Sequence, residues 1–185
     1  MAGTGAAARA GILIKDPQAL ETAHLVTVVA FDKTGTLTLG RPTLKDLHRC
    51  AADEAWSREA LLSVAAALQS GSEHPLAQAV ISVAGAQIPA SEGLMAVAGR
   101  GIKGRVHLHD QATEWALGSS RWMAELVGPM VGAPWQAWLD VQQGQGATVS
   151  WLMQLDASGQ WQVMAGLAFG DEIKPGAAQA LATLH

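Results

Sequence analysis

Hydrophobic positions along the chain change their spacing from one stretch to the next. Residues 26–31 form an unbroken apolar, β-branched run closed by Asp32 and a glycine-containing turn. Continuous hydrophobicity predicts a strand covered on both faces, the habit of a parallel sheet. Over residues 56–69 the pattern becomes helical: Leu61, Leu62, Val64, Ala65 and Leu68 share a face, and Ser57 is placed to cap the first turn. Gly71-Ser72 breaks that helix. A second is predicted from His74-Pro75, since proline suits a first turn, and would present Leu76, Val80 and Val83. From Leu94 the period falls to two: Ile102, Gly104, Val106 and Leu108 alternate with Lys103, Arg105, His107 and His109, the mark of a half-buried strand.

Residues 113–117 read as the partner of that strand, 119–126 and 135–142 as helices, and 44–48 as a weaker strand. The runs 147–155 and 160–169 flank Asp156-Ala157-Ser158-Gly159, a hairpin signal. Residues 175–184 open an Ala-rich helix. A parallel-type strand thus comes first, an antiparallel α+β block follows, and an apolar strand ending at Asp171 closes the order. The fold class implied mixes α/β and α+β: one parallel α/β domain interrupted by an antiparallel sheet with helices.

Composition narrows the function. The chain has 185 residues, 49% of them hydrophobic and 15% charged, which suits a packed interior. Its net charge is −4 and it has no Lys/Arg-rich run, so nucleic acid is not an expected partner. The single cysteine, Cys50, excludes an internal disulfide framework and a multi-thiolate zinc site. No stretch approaches the roughly 20 apolar residues of a membrane span, and the first ten residues lack a signal-peptide core, so this piece is expected to be soluble. His107 and His109 share a strand face, but two ligands make no metal site.

The strongest chemical signal is Asp32-Lys33-Thr34-Gly35-Thr36-Leu37-Thr38, directly after the apolar run. In open α/β sheets ligands bind beyond the carboxyl ends of strands. Small residues and a glycine there let backbone N–H groups converge on an anion. An aspartate so placed can attack phosphorus, provided a cation and a lysine offset the charge repulsion. In Ser72-Glu73-His74-Pro75-Leu76 the proline sets a helix start and brings donors and an imidazole to one spot, although His-Pro at a helix start also serves structure alone. Gly99-Arg100-Gly101-Ile102-Lys103-Gly104 leads into a strand rather than a helix, which rejects a dinucleotide fingerprint. Glycines at a sheet edge suit either close approach of a ring or phosphate chain, or a plain β-bulge.

The heptad resembles the phosphorylation motif of P-type ATPases, cation pumps of the haloacid-dehalogenase superfamily. Phosphatases of that superfamily carry a second Asp where this chain has Thr34, and its loss should slow hydrolysis of an acyl-phosphate. Ser-Glu-His-Pro-Leu resembles the nucleotide-domain signature of the heavy-metal, type IB, subgroup. Gly99 and Gly101 match glycines lining its ATP pocket. Leu117-Gly118-Ser119-Ser120-Arg121-Trp122-Met123 is similar to a further segment, with Ser119 where the family usually has Asn, a shorter group without amide donors. Asp171-Glu172-Ile173-Lys174-Pro175 resembles the element that returns to the phosphorylation domain, and is equally an ordinary helix start. Gly11-Ile12-Leu13-Ile14-Lys15 and Leu20-Glu21 extend the resemblance over nearly the whole chain.

The resemblance implies a phosphorylation-domain part over 1–42, a nucleotide-binding domain over 43–166 and a return over 167–185. It implies Asp32 as phosphoryl acceptor with Lys33 and Thr34, and Mg²⁺ on Asp32 and Thr34. Glu73, His74, Gly99, Gly101, Gly118 and Ser119 would hold the nucleotide, supported by Thr36, Asp171 and Lys174. ATP and Mg²⁺ are the implied cofactors. The partners are ATP/ADP and the remaining phosphorylation, actuator and transmembrane domains of the same pump, on the cytoplasmic side of a membrane, in the parent's case the bacterial inner membrane. Copper is the implied cargo, because residues 11–21 and those after Thr38 resemble copper pumps more than zinc or cadmium ones. The chain ends before the family's phosphate-binding Lys and Mg²⁺-binding Asp loops, so weak ATP binding and little turnover are expected. A stand-alone phosphatase of the superfamily and a non-catalytic nucleotide-binding module are the alternatives.

Overall fold

The computed structural model describes residues 2–9, 11–50, 56–85, 87–108, 111–128 and 134–184. It divides into two units, Met1–Asp32 and Lys33–His185. The first holds α1 (Ala2–Arg9), α2 (Pro17–Thr22) and a single 3₁₀ turn (Ala23–Leu25). Asp16 caps α2 by accepting from the Gln18 N–H at 2.9 Å. Residues 26–32 have no regular structure, and Val26, Val28, Val29 and Phe31 are exposed. The buried strand expected at 26–31 is therefore not formed. A strand needs ladder partners and cover on both faces, and no described strand pairs with this segment.

The second unit is built on one six-stranded sheet in the order β1-β6-β5-β4-β3-β2. Its strands are β1 (Thr38–Arg49), β2 (Ser91–Val97), β3 (Gly101–Leu108), β4 (Gln111–Ser119), β5 (Thr148–Leu155) and β6 (Trp161–Ile173), all antiparallel to their neighbours. Helices α3 (Arg58–Leu68) and α4 (Pro75–Ile81) share a core with one face, and α5 (Ser120–Val127) and α6 (Gln136–Gly144) pack on the other. A last helix, α7 (Ala177–Thr183), follows β6. No helix among the described residues is long and apolar enough to cross a membrane.

Strand alternation sorts side chains between the two cores. Trp115 and Leu117 of β4 join Leu61, Val64, Leu68 and Val80, while Ala116 between them joins Trp122, Met123 and Trp151. One irregularity adjusts the count: Leu152 pairs with Ala165 but Met153 with Val163, leaving Met164 as an extra residue. That bulge moves Val163 into the second core, while Ala165, Leu167 and Phe169 stay in the first. Residues 163–169 are buried throughout, because helices cover both faces of β6.

The helix starts follow the sequence closely. Ser57 caps α3, its Oγ accepting from the Ala60 N–H at 3.1 Å. Helix α4 ends at Ile81, so Val83, expected on its buried face, lies beyond it and is exposed. β2 begins at Ser91, well before the strand read at 102–108. Its own burial does not alternate, because a bulge between Glu92 and Met95 resets the period. His107 lies 3.6 Å from Glu92 across the β2–β3 pair, and His109 lies outside the described residues.

Candidate functional site

Two facing glycines form the inner wall of the site. Gly101 and Gly118 pair in register between β3 and β4, and neither has room for a side chain. Gly99 shapes the preceding turn: its φ of +68° is left-handed, a region glycine enters without a Cβ penalty, and the Arg100 N–H closes the turn on the Val97 carbonyl at 3.0 Å. The chain therefore approaches β4 with bare backbone, and a cavity of about 390 Å³ opens beside it.

His74 forms another wall as the N-cap of α4. Its Nδ1 accepts from the Leu76 N–H at 3.2 Å, which places the ring proton of the neutral form on Nε2. Gln78 fastens the approach to the helix by donating to the Ser72 carbonyl at 2.8 Å. Around the cavity, Leu76, Ile102, Leu117 and Phe169 give apolar surface, and Ser72, Ser119, Thr148 and Ser150 give hydroxyls. Apolar walls with a few converging polar groups suit a flat heterocycle carrying polar substituents.

A second cavity of about 260 Å³ adjoins the first, sharing His74, Leu76, Thr148 and Phe169. Lys33, Thr34, Gly40, Gly146 and Asp171 also line it. The Lys33 ammonium donates to the Gly146 carbonyl at 2.7 Å. The loop that follows is held from within and from β6. Gly35 takes a left-handed φ of +78°, and its N–H donates to Thr38 Oγ1 at 3.3 Å. The buried Thr38 hydroxyl donates to Asp171 at 2.5 Å. The same carboxylate accepts from the N–H groups of Gly40 and Arg41, each at 3.0 Å. The Thr38 hydroxyl, seconded by these backbone donors, holds the Asp171 carboxyl below the ordinary carboxylate range. Lys174 completes the grip, its N–H on the Leu37 carbonyl at 2.9 Å and its ammonium on the Gly35 carbonyl.

The structure thus brings His74, Gly101, Gly118 and Ser119 together around one cavity, and Lys33, Thr34 and Asp171 around its neighbour. Glu73 is exposed and lines neither. Gly99 acts through the turn rather than on the cavity wall. Thr36 is exposed, and Asp32 is exposed at the end of the first unit. Ser119 has a structural duty besides: it caps α5, its Oγ accepting from the Trp122 N–H at 3.3 Å, work that Asn performs equally well. Thr148, Ser150 and Phe169 line the cavity without any motif to mark them. Thr38 stood in the heptad, but only the fold shows that its hydroxyl reaches β6.

Residues 26–185 match the haloacid dehalogenase-like hydrolase family. A copper-transporting P-type ATPase of Rhizobium leguminosarum bv. viciae is 38% identical over 190 residues, covering 100% of this chain and 21% of that protein. A probable copper-transporting ATPase of Synechocystis is 33% identical, covering 100% of this chain and 24% of its own length. A zinc/cadmium/lead-transporting P-type ATPase of Escherichia coli is 51% identical over 79 residues, covering 43% of this chain and 10% of that protein. The chain therefore spans about a fifth to a quarter of the length of the full-coverage relatives. Among solved structures, a zinc-transporting PIB-type ATPase in an E2.Pi state superposes with a TM-score of 0.65 at 33% identity, over 98% of this chain and 28% of that one. The catalytic domain of a CPx-ATPase shares the fold with a TM-score of 0.50 at 19% identity, over 93% of this chain and 53% of its own. With its family model matched over most of its length, and relatives aligned from end to end, the chain belongs to the haloacid dehalogenase-like hydrolase family.

Proposed function

We propose that this chain is the nucleotide-binding and phosphoryl-accepting region of a heavy-metal P-type ATPase. The observation that carries the reading is the pair of adjoining cavities, which run from the Gly101–Gly118 wall, past His74, to Lys33 and Asp171. A nucleoside triphosphate has that layout: a flat base that needs close backbone approach, and a charged tail that needs a cation and small residues. In this reading the base lies against Gly101 and Gly118, with the His74 Nε2–H as a donor. The phosphates reach Lys33, whose ammonium leaves the Gly146 carbonyl to meet them. Glu73 and Ser119 add polar contacts at the base end. Residues 1–42 and 167–185 belong to the phosphorylation domain and 43–166 to the nucleotide-binding domain, with Asp171 and Lys174 fastening the second boundary to the first.

The proposed chemistry is in-line transfer. A carboxylate oxygen of Asp32 attacks the terminal phosphorus, the bond to the bridging oxygen breaks, and ADP leaves with that bond's electrons. Mg²⁺, when bound, neutralises charge on the triphosphate so that two anions can meet. Asp32 and Thr34 offer the hard oxygen donors Mg²⁺ prefers. Among the described residues no group of three or more His, Cys, Asp or Glu is placed to hold a metal. Thr34, where a phosphatase has a general acid/base, favours a lasting aspartyl-phosphate over rapid hydrolysis.

The parent protein is proposed to sit in a bacterial inner membrane with this region on the cytoplasmic side, joined to the rest of the phosphorylation domain and to actuator and transmembrane domains. Copper is the proposed cargo, in line with the names of two relatives matched along the whole chain. Calorimetric titration of this chain with ATP, ADP and AMP tests the central claim. ATP and ADP should bind, and His74→Ala should lower affinity about tenfold, the loss of one good hydrogen bond in a partly dry site. Unchanged affinity in His74→Ala would remove the assignment. Brisk hydrolysis of simple phosphomonoesters would instead favour a stand-alone phosphatase.

A further inference from the structure

We infer that Glu125, on α5 and outside both cavities, is a positioning residue that sets the glycine wall of the nucleotide cavity through Arg100. The Arg100 guanidinium meets the Glu125 carboxylate as a fork, Nε to Oε2 at 2.6 Å and Nη2 to Oε1 at 3.1 Å. Two parallel bonds fix orientation as well as distance. Arg121, one helical turn before Glu125, donates from Nε to the same Oε1 at 3.3 Å and steadies the carboxylate.

Arg100 binds at the same place with its backbone. Its carbonyl accepts the Ser119 N–H at 2.8 Å, at the junction of β4 and α5. An ideal Cβ on Gly118 would lie 2.4 Å from that carbonyl oxygen, so the contact is as close as glycine permits. Side chain and main chain of one residue therefore dock the turn between β2 and β3 onto the start of α5. Gly101 follows Arg100 directly, and Arg100, Gly101, Gly118 and Ser119 all line the cavity. The turn is otherwise held by backbone, the Arg100 N–H on the Val97 carbonyl at 3.0 Å and the pairing of Val97 with Gly101, and the space beside Gly99 is open. Without Glu125 the guanidinium is free to swing, and the turn keeps only its backbone bonds.

This inference rests on the nucleotide reading, and the experiment separates the two. Glu125→Gln keeps shape and removes charge. Arg100→Lys keeps charge and removes the fork. Each should weaken ATP binding about three- to fivefold, the ceiling for an exposed ion pair. Each should also speed exchange of the Ser119 amide hydrogen, while amides of Leu152 and Leu167 in the sheet centre and the melting temperature stay put. Unchanged or tighter ATP binding with unchanged Ser119 exchange overturns the inference. If the parent chain binds no ATP, the nucleotide reading falls. Ser119 exchange then decides alone: faster exchange in Glu125→Gln sustains the positioning role, and equal exchange removes it.

Discussion

Gly101 and Gly118 face each other across the β3–β4 ladder with no space for a methyl group on either. A Cβ on Gly101 would stand 2.2 Å from the Leu117 carbonyl oxygen and 2.6 Å from the Gly118 Cα. A Cβ on Gly118 would meet the Trp122 ring at 2.4 Å as well as the Arg100 carbonyl. Backbone atoms cannot swing aside as the tip of a lysine can. Gly99 is needed for a different reason: the space around it is open, but its φ of +68° penalises any Cβ. Gly118 answers to close approach alone, Gly99 to torsion alone, and Gly101, at a φ of +157°, to both.

Alanine at these positions should separate the two causes. Gly101→Ala and Gly118→Ala should each lose about 1–3 kcal/mol or more, as overpacking does. Gly99→Ala should lose about 1–2 kcal/mol, the penalty of a left-handed residue with a Cβ. Urea denaturation of the three variants checks this. Native-like stability in Gly101→Ala would mean that the β3–β4 contact is looser than described.

The Thr38–Asp171 bond predicts a pH effect. The Asp171 carboxyl lies below its ordinary 3.8, first because of the Thr38 hydroxyl and then because of the backbone N–H groups of Arg41 and Gly40. A depressed folded value means that the folded state binds the proton more weakly than the unfolded chain. The stabilisation is thus complete above about pH 4 and is lost as pH falls through the lower folded value. Thr38→Val should raise the Asp171 value toward 3.8, and Asp171→Asn should flatten the acid limb of the stability curve. Carboxyl-carbon NMR titration of Asp171 reads the first directly.

Much of this was legible because some residues have a single local job. Ser57 before a helical apolar pattern caps α3, and proline after His74 starts α4. The hairpin at Asp156-Ala157-Ser158-Gly159 joins β5 and β6, and Asp156 accepts from the N–H groups of Ser158 and Gln160 as turn chemistry demands. What misled was the continuous run. At 26–31 an unbroken apolar stretch belongs to an exposed segment, whereas in β6, whose hairpin with β5 the sequence signalled, it belongs to an antiparallel strand under two layers of helix. Such a run reports demand for burial on two faces, and neither strand direction nor a partner. The cavity lining was hardest to foresee. Phe169 and Thr148 pair across β5 and β6, and only sheet register places them beside His74.

Cys50 should be nearly inert. It is half-buried, and that burial pushes its thiol up from 9.0 to about 12, partly offset by a backbone hydrogen bond from Gly166. Three pH units correspond to about a thousandfold less thiolate at neutral pH than in the unfolded chain. Reaction with a disulfide reagent at pH 8 should therefore be slow in buffer and fast in denaturant. The proton is held more tightly in the folded state, so this contribution to stability is present below about pH 9 and is lost as pH rises toward about 12. Equal rates in buffer and denaturant would contradict the described setting of the β1 end.

Ser119 offers the most discriminating substitution, because its two roles respond to different replacements. As the α5 cap it accepts from the Trp122 N–H, and as a cavity residue it presents a short hydroxyl. Ser119→Ala removes the cap and should lose about 1 kcal/mol of stability. Ser119→Asn keeps a good cap, so stability should change by only a few tenths of a kcal/mol. Its amide adds two donors at the cavity wall, and ATP affinity should rise by about two- to fivefold, the worth of one modest hydrogen bond. Melting curves and ATP titrations on the pair check both effects. If Ser119→Asn destabilises the chain as much as Ser119→Ala does, the cap assignment is wrong. If the asparagine variant keeps its stability but does not improve ATP binding, Ser119 stands at the rim of the cavity and only the cap explains it.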